Sequence, residues 1–169
     1  MHDAKPLRVL GIDPGLRVAG YGCVEYDRSD PRPTLIEAGA IKLDIKQSVS
    51  HRLLQLWNDI NEIISDTSPD AVAVETVFSH ARQVGTAITM GHARGVILLA
   101  IEKNGLPLIE LSPAEIKKSV TGNGRATKSQ IQQAITNILN LAEVPEPPDV
   151  ADALAIGVTG AMRSNGTFS

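Results

Sequence analysis

At 169 residues and 43% hydrophobic content, the chain is sized for a single domain with its own core. One cysteine, Cys23, excludes an intrachain disulfide and points to a reducing cytoplasm, while no apolar run reaches the ~20 residues of a membrane span and the opening MHDAKP lacks the layout of a secretory signal. The net charge of −3 argues against indiscriminate nucleic-acid binding, yet His80 to Lys128 carries seven Lys/Arg against three Glu, a basic sector able to steer a polyanion.

Leu7, Val9, Leu10 and Ile12 form a short apolar run that predicts a buried strand, stopped by Pro14-Gly15. Asp13 falls at its carboxyl end, where the bland role is to cap the turn. A second β-like run covers Val18 to Tyr26, and Thr34 to Leu43 is a third strand reached through the polar turn Asp27 to Pro31, giving an antiparallel meander. The period then changes. Leu53, Leu56, Trp57, Ile60, Ile63 and Ile64 recur at three and four, which predicts an amphipathic helix over about Ser50 to Asp66.

After the breaker Ser68-Pro69-Asp70, Ala71 to Glu75 is a short buried strand ending in an acid. A helix rich in small residues (Gly85, Ala87, Gly91, Ala93, Gly95) runs from near Val84 to Lys103, able to approach the sheet or another subunit closely, and Leu106 to Leu111 makes a fifth strand. Ser112-Pro113-Ala114-Glu115 and Thr127-Lys128-Ser129-Gln130 both read as capping boxes, opening a short helix and one reaching about Leu141, with a glycine-bearing loop over Val120 to Gly124 between them. A last helix spans Asp149 to about Met162, and residues 164–169 read as a flexible polar tail behind a single domain of residues 1–163. The order β-β-β-α-β-α-β-α-α-α predicts an α/β fold, a mixed five-stranded sheet with helices on both faces, in which the ends of strands one and four can be neighbours.

That neighbourhood would bring Asp13 and Glu75 face to face. Asp149 and Asp152 share a face of the last helix; Asp149 can serve as its cap, but Asp152 is set among Val150, Ala151, Ala153, Leu154, Ala155 and Ile156 and needs a partner. Four carboxylates from three elements point to hard divalent cations, Mg²⁺ above all, in the two-metal arrangement that hydrolyses phosphodiesters. Lys117 and Lys128, near helix starts, are candidates to bind the phosphate, against the bland role of solvated lysines. Phe78, three residues beyond Glu75, is placed either to stack on a base or to plug the core.

Taken together, Gly11-Ile12-Asp13-Pro14-Gly15-Leu16-Arg17 with Gly20-Tyr21-Gly22, Val74-Glu75-Thr76-Val77-Phe78, Gly91-His92-Ala93-Arg94-Gly95, Gly122-Asn123-Gly124, Lys128-Ser129-Gln130 and Asp149 to Ala155 resemble, in order and spacing, the RuvC family of Holliday-junction resolvases. The resemblance covers nearly the whole chain. It implies a ribonuclease H-like homodimer that nicks two symmetry-related strands of four-way DNA in recombination and repair, using two Mg²⁺ per site with Mn²⁺ as substitute, and that works beside the RuvA and RuvB branch-migration proteins. By position, Asp13, Glu75, Asp149 and Asp152 match the family's catalytic acids, Lys117 and Lys128 its two functional lysines, and Phe78 an aromatic residue inserted at the junction. Some members carry His in place of Asp149. Over 79–83 the chain departs from the pattern, with Arg82 standing in for a lysine, and Lys118 and Arg125 complete the basic contacts to DNA.

Three rivals compete. An ATP-binding domain of the actin and sugar-kinase type opens similarly but needs a second such domain and lacks a use for the Asp149–Asp152 pair. A junction-binding module without catalysis conflicts with the presence of all four acids. The same chemistry on RNA–DNA hybrids, or on the substrates of a shorter resolvase-like family, differs from the main reading in substrate alone.

Overall fold

The computed structural model describes residues 5–27, 29–76 and 84–164, with the side chain of Pro31 outside the description. Phe78 and Arg82 therefore lie outside the described residues. Ten elements follow in the predicted order: β1 (Leu7–Asp13), β2 (Val18–Asp27), β3 (Asp30–Lys42), α1 (Val49–Thr67), β4 (Ala71–Glu75), α2 (Val84–Lys103), β5 (Leu108–Leu111), α3 (Pro113–Thr121), α4 (Lys128–Ile138) and α5 (Pro148–Ser164). The sheet order is β3-β2-β1-β4-β5. β1, β2 and β3 form the antiparallel meander, while β4 lies parallel to both β1 and β5.

Period-two alternation sorts the core. Val9, Val24, Ala73 and Leu111 face α3, α4 and α5, whereas Leu10, Ile12, Val72 and Val74 face α1 and α2. Both faces of β1 and β4 are covered, so their sequences read as nearly unbroken apolar runs.

Element ends follow local chemistry. Ser48 caps α1 by accepting from the His51 amide, and Ser68 ends it in the left-handed region at φ 45°. Both capping boxes form reciprocally, Ser112 with Glu115 and Thr127 with Gln130. α3 continues to Thr121 before Gly122 (φ 76°) stops it, so the expected loop starts later than Val120. α4 ends at Ile138 and not at Leu141, since Asn140 takes a positive φ of 50°. β5 starts at Leu108: the Leu106 amide is still bonded to Ile101 O behind α2, and Pro107 has no amide to give. β3 begins four residues before Thr34, with register shifts against β2 absorbing the irregular hairpin. α5 opens at Pro148, which puts Asp149 inside the first turn, and ends at Ser164, a buried helical residue where the sequence reading began a tail.

One expectation fails. α2 is by length and hydropathy apolar enough to cross a membrane. Before Glu102 its only titratable residues are His92 and Arg94, and Ala93, Ile97, Ala100 and Ile101 pack into the core beside α1. Of the small residues Ala93 is buried in the core, whereas Gly85, Gly91 and Gly95 face open space.

α5 is set on the sheet through a seam without side chains. A Cβ on Gly11 would stand 2.2 Å from Ala153 O and 2.3 Å from the Gly157 amide nitrogen, and one on Gly157 would stand 2.9 Å from Gly22 O. Gly11 and Gly22 are register partners, so the helix crosses both strands where neither carries a side chain. Gly11→Ala should therefore force helix and sheet apart, lowering stability by roughly 2–3 kcal/mol and the melting temperature by about 5–10 °C. Thermal unfolding of the variant checks this, and a melting point within a degree of wild type would contradict so close a seam.

Candidate active site

The seam determines where the acids meet. Ile12 pairs with Val74 in the parallel β1–β4 ladder, so Asp13 and Glu75, each the last residue of its strand, leave the sheet side by side. Asp13 is also the register partner of Gly20, and a Cβ on Gly20 would lie 2.0 Å from Asp149 O. The first turn of α5 thus rests on bare backbone next to Asp13, and Asp152 follows one turn on. Among the described residues no backbone amide or side chain donates to the Asp13 carboxylate, so it does not act as the turn cap.

Asp13, Glu75, Asp149 and Asp152 line one cleft of about 1000 Å³ at the carboxyl ends of β1 and β4. Lys117 from α3 and Lys128 from the start of α4 enter the same cleft, and Lys128 Nζ stands 3.5 Å from Asp152 Oδ2. That is the only ion pair to any of the four carboxylates among the described residues. Lys118 and Arg125 are exposed outside the cleft, on α3 and on the loop before α4.

The electrostatics follow from this crowding. Burial, then the charges of Asp152, Asp149 and Glu75, push the Asp13 carboxyl up to about 7, with Lys128 opposing. Burial and then Asp152 raise Glu75, with Lys117 and Lys128 opposing. The negative charge is under-compensated by protein groups, which is the condition a bound cation relieves. No three His, Cys, Asp or Glu side chains among the described residues close around a single point. An open set of carboxylates suits Mg²⁺, which takes one or two of them and completes its shell with water and phosphate oxygens. The residues present fit a hard divalent cation.

Sequence reasoning missed two arginines. Arg94, counted there in the basic sector, is a largely buried anchor: Nη1 donates to Glu75 O at 2.6 Å and Nη2 pairs with Glu110. It ties α2 to the ends of both β4 and β5, a role no spacing in the sequence signals. Arg52 of α1 also lines the cleft, its Nη1 donating to Leu16 O at 2.7 Å, and at sequence level it was only a polar position in an amphipathic helix.

Residues 9–160 match the family described as crossover junction endodeoxyribonuclease RuvC. A crossover junction endodeoxyribonuclease RuvC of Rhodopirellula baltica is 46% identical over 157 residues, which are 93% of this chain and 87% of that protein. Its counterpart in Ruminiclostridium cellulolyticum is 40% identical over 95% of this chain and 99% of its own length. Among solved structures, Thermus thermophilus RuvC in complex with Holliday junction substrate superposes with a TM-score of 0.86 at 31% identity, covering 94% of each chain. The expected ribonuclease H-like α/β fold is borne out by that likeness, and with four acids and two lysines in one cleft at the strand ends, the chain belongs to the RuvC family of crossover junction endodeoxyribonucleases.

Proposed function

We propose that this protein resolves four-way DNA junctions, hydrolysing one phosphodiester in each of two symmetry-related strands. The observation that carries the reading is the convergence of four carboxylates from β1, β4 and α5 with two lysines in one cleft, on a chain of this family. Asp13, Glu75, Asp149 and Asp152 would hold two divalent ions, Mg²⁺ with Mn²⁺ as substitute. When bound, these ions supply the Lewis acidity that activates a water on one side of phosphorus and steadies the leaving oxygen on the other.

The chain's own residues do the rest. Asp13, at the rigid end of a central strand, fixes the floor of the cleft, and Glu75 beside it is held by the Arg94 grip on its carbonyl. Lys128, with its ammonium exposed and tethered only to Asp152, is free to turn to a phosphate oxygen, and Lys117 offers a second charge from the same wall. Both offset the charge that grows on the phosphoryl oxygens. Lys118 and Arg125 extend the basic contacts beyond the cleft, and Phe78 and Arg82 are proposed to engage the crossover itself.

Paired nicks require paired sites. Val84, Ile88, Gly91, Gly95 and Leu99 recur at four, three, four and four along α2, one helix face that is apolar, exposed and open at its glycines. This face is proposed to pack against the same face of a second copy, forming the homodimer. On another side of the same helix Gly85, Thr86 and Thr89 border the cleft, so the contact would set the distance between the two sites. RuvA and RuvB are proposed as partners that deliver the junction, in the cytoplasm.

Asp13→Asn is expected to abolish cleavage of a synthetic four-way junction while leaving binding within about threefold, since Asn keeps the shape and loses the metal-holding charge. The same change has a stability signature without metal. The Asp13 carboxyl rises from 3.8 to about 7 on folding, so between these values the folded chain keeps a proton that the unfolded chain has lost, and stability falls as pH rises through that window. At pH 8 the burden is on the order of 2–4 kcal/mol, so metal-free Asp13→Asn should melt about 5–10 °C above wild type, with the gap closing near pH 4. Differential scanning at both pH values checks the sign; a variant less stable than wild type at pH 8 would refute it. Lys128→Ala should slow cleavage by about 10²-fold while changing stability by less than about 1 kcal/mol, a split read by single-turnover kinetics beside thermal melts. Ile88→Glu should convert dimer to monomer in sedimentation velocity without loss of fold, and an unchanged sedimentation coefficient would move the interface elsewhere.

A further inference from the structure

The cleft is not basic on one wall only. Lys117 and Lys128 come from α3 and α4, on the face of the sheet that α5 covers, whereas Arg52 comes from α1 on the opposite face and Arg17 from the turn between β1 and β2. Both arginines line the cleft. Neither forms an ion pair with a carboxylate among the described residues.

Their mounting separates fixed geometry from free charge. Arg52 Nη1 donates to Leu16 O at 2.7 Å, which fastens the guanidinium to the turn that follows Asp13. Its Nε is buried and finds no acceptor. A neutral carbonyl takes one of five guanidinium donors and cancels none of its charge. The side chain is therefore oriented but not neutralised, the state that gives an arriving anion a short charge-assisted bond at little further loss of freedom. Arg17 is fixed differently. Its carbonyl accepts from the Leu43 amide at 2.9 Å, so its backbone is pinned to the end of β3 while the exposed side chain stays unengaged.

A cleft floored by four carboxylates repels a polyanion unless cations flank the floor on both sides. We propose that Arg17 and Arg52 form a second phosphate subsite, across the carboxylate floor from Lys117 and Lys128, which takes the backbone phosphates next to the one that is cut. The ligand class is a nucleic-acid phosphodiester, and the assignment rests on reading this cleft as the DNA site. The strand then crosses the end of the sheet, gripped by lysines on one side and arginines on the other, with the reacting phosphate over the acids between them.

The competing account makes Arg52 a staple for the Leu16 turn and Arg17 a solvated side chain. Salt dependence separates the two, because each phosphate contact releases counterions and a staple releases none. The test measures binding of an immobile four-way junction by fluorescence anisotropy in EDTA, between 50 and 300 mM salt, for wild type, Arg17→Gln, Arg52→Gln, Arg52→Lys and the double Gln variant. Each Gln variant should weaken binding several-fold and reduce the slope of log K against log salt by about 0.9, the double variant by about twice that, and Arg52→Lys should keep the wild-type slope. Arg17→Gln removes no hydrogen bond of the fold, so it reports even where Arg52→Gln melts early. Wild-type slopes in both single variants, or an Arg52→Gln loss of affinity with unchanged slope and a lowered melting point, would overturn the subsite and leave the resolvase reading standing. A wild-type protein that fails to bind the junction overturns both.

Discussion

Two backbones touch where α5 crosses β1 and β2, and no side chain can stand between them. The bare positions at Gly11, Gly20, Gly22 and Gly157 let the helix lie about one atom's width nearer the sheet than ordinary packing allows. Everything chemical in the molecule depends on that contact. Asp149 and Asp152 belong to the helix, Asp13 and Glu75 to strand ends, and only the depth of the crossing brings helix acids within electrostatic reach of strand acids. A bulkier seam would preserve the fold's outline and disperse its chemistry.

Assembling those acids works against folding. Each strand end and helix turn is well satisfied by its own hydrogen bonds, but the side chains they deliver repel one another in a partly dry cleft, as the upward displacement of Asp13 and Glu75 records. The core on both faces of the sheet must over-determine the backbone for such an arrangement to persist. The extensive burial of β1 and β4, whose apolar residues other than the terminal ones are fully enclosed, supplies that rigidity. Stability and the proposed chemistry thus make opposite demands on the same side chains, and a bound cation would reconcile them.

Much of this was legible in the sequence because it is local or periodic. Pro14-Gly15 marked the end of β1, alternation and three-four spacing separated strands from helices, and two capping boxes gave helix starts to the residue. An Asp amid small apolar residues in α5 advertised a buried carboxylate in need of company. What stayed hidden depends on which distant groups become neighbours. Arg94 stands in a stretch that resembles the family without signalling its contacts, and only the fold shows it bonded to Glu75 O and Glu110. Arg52 likewise reads as solvent-facing until the turn after Asp13 is seen beside it. For α2 the small residues left the sheet and another subunit both open as neighbours, because composition records how apolar a helix is and not which of its faces the monomer covers. Phe78 and Arg82 lie outside the described residues, so their reading stands on the sequence.

The grip of Arg94 gives α2 a second character. One guanidinium joins the middle of a 20-residue helix to the main chain of Glu75 and, through Glu110, to the neighbouring strand. A helix of that length is a stiff rod of about 30 Å, and a rod pinned near its centre is a lever. Any tilt imposed on its outer face is delivered, not damped, to the carbonyl behind one of the four cleft acids. A substitution on that distant face therefore reaches the geometry of the cleft without touching it.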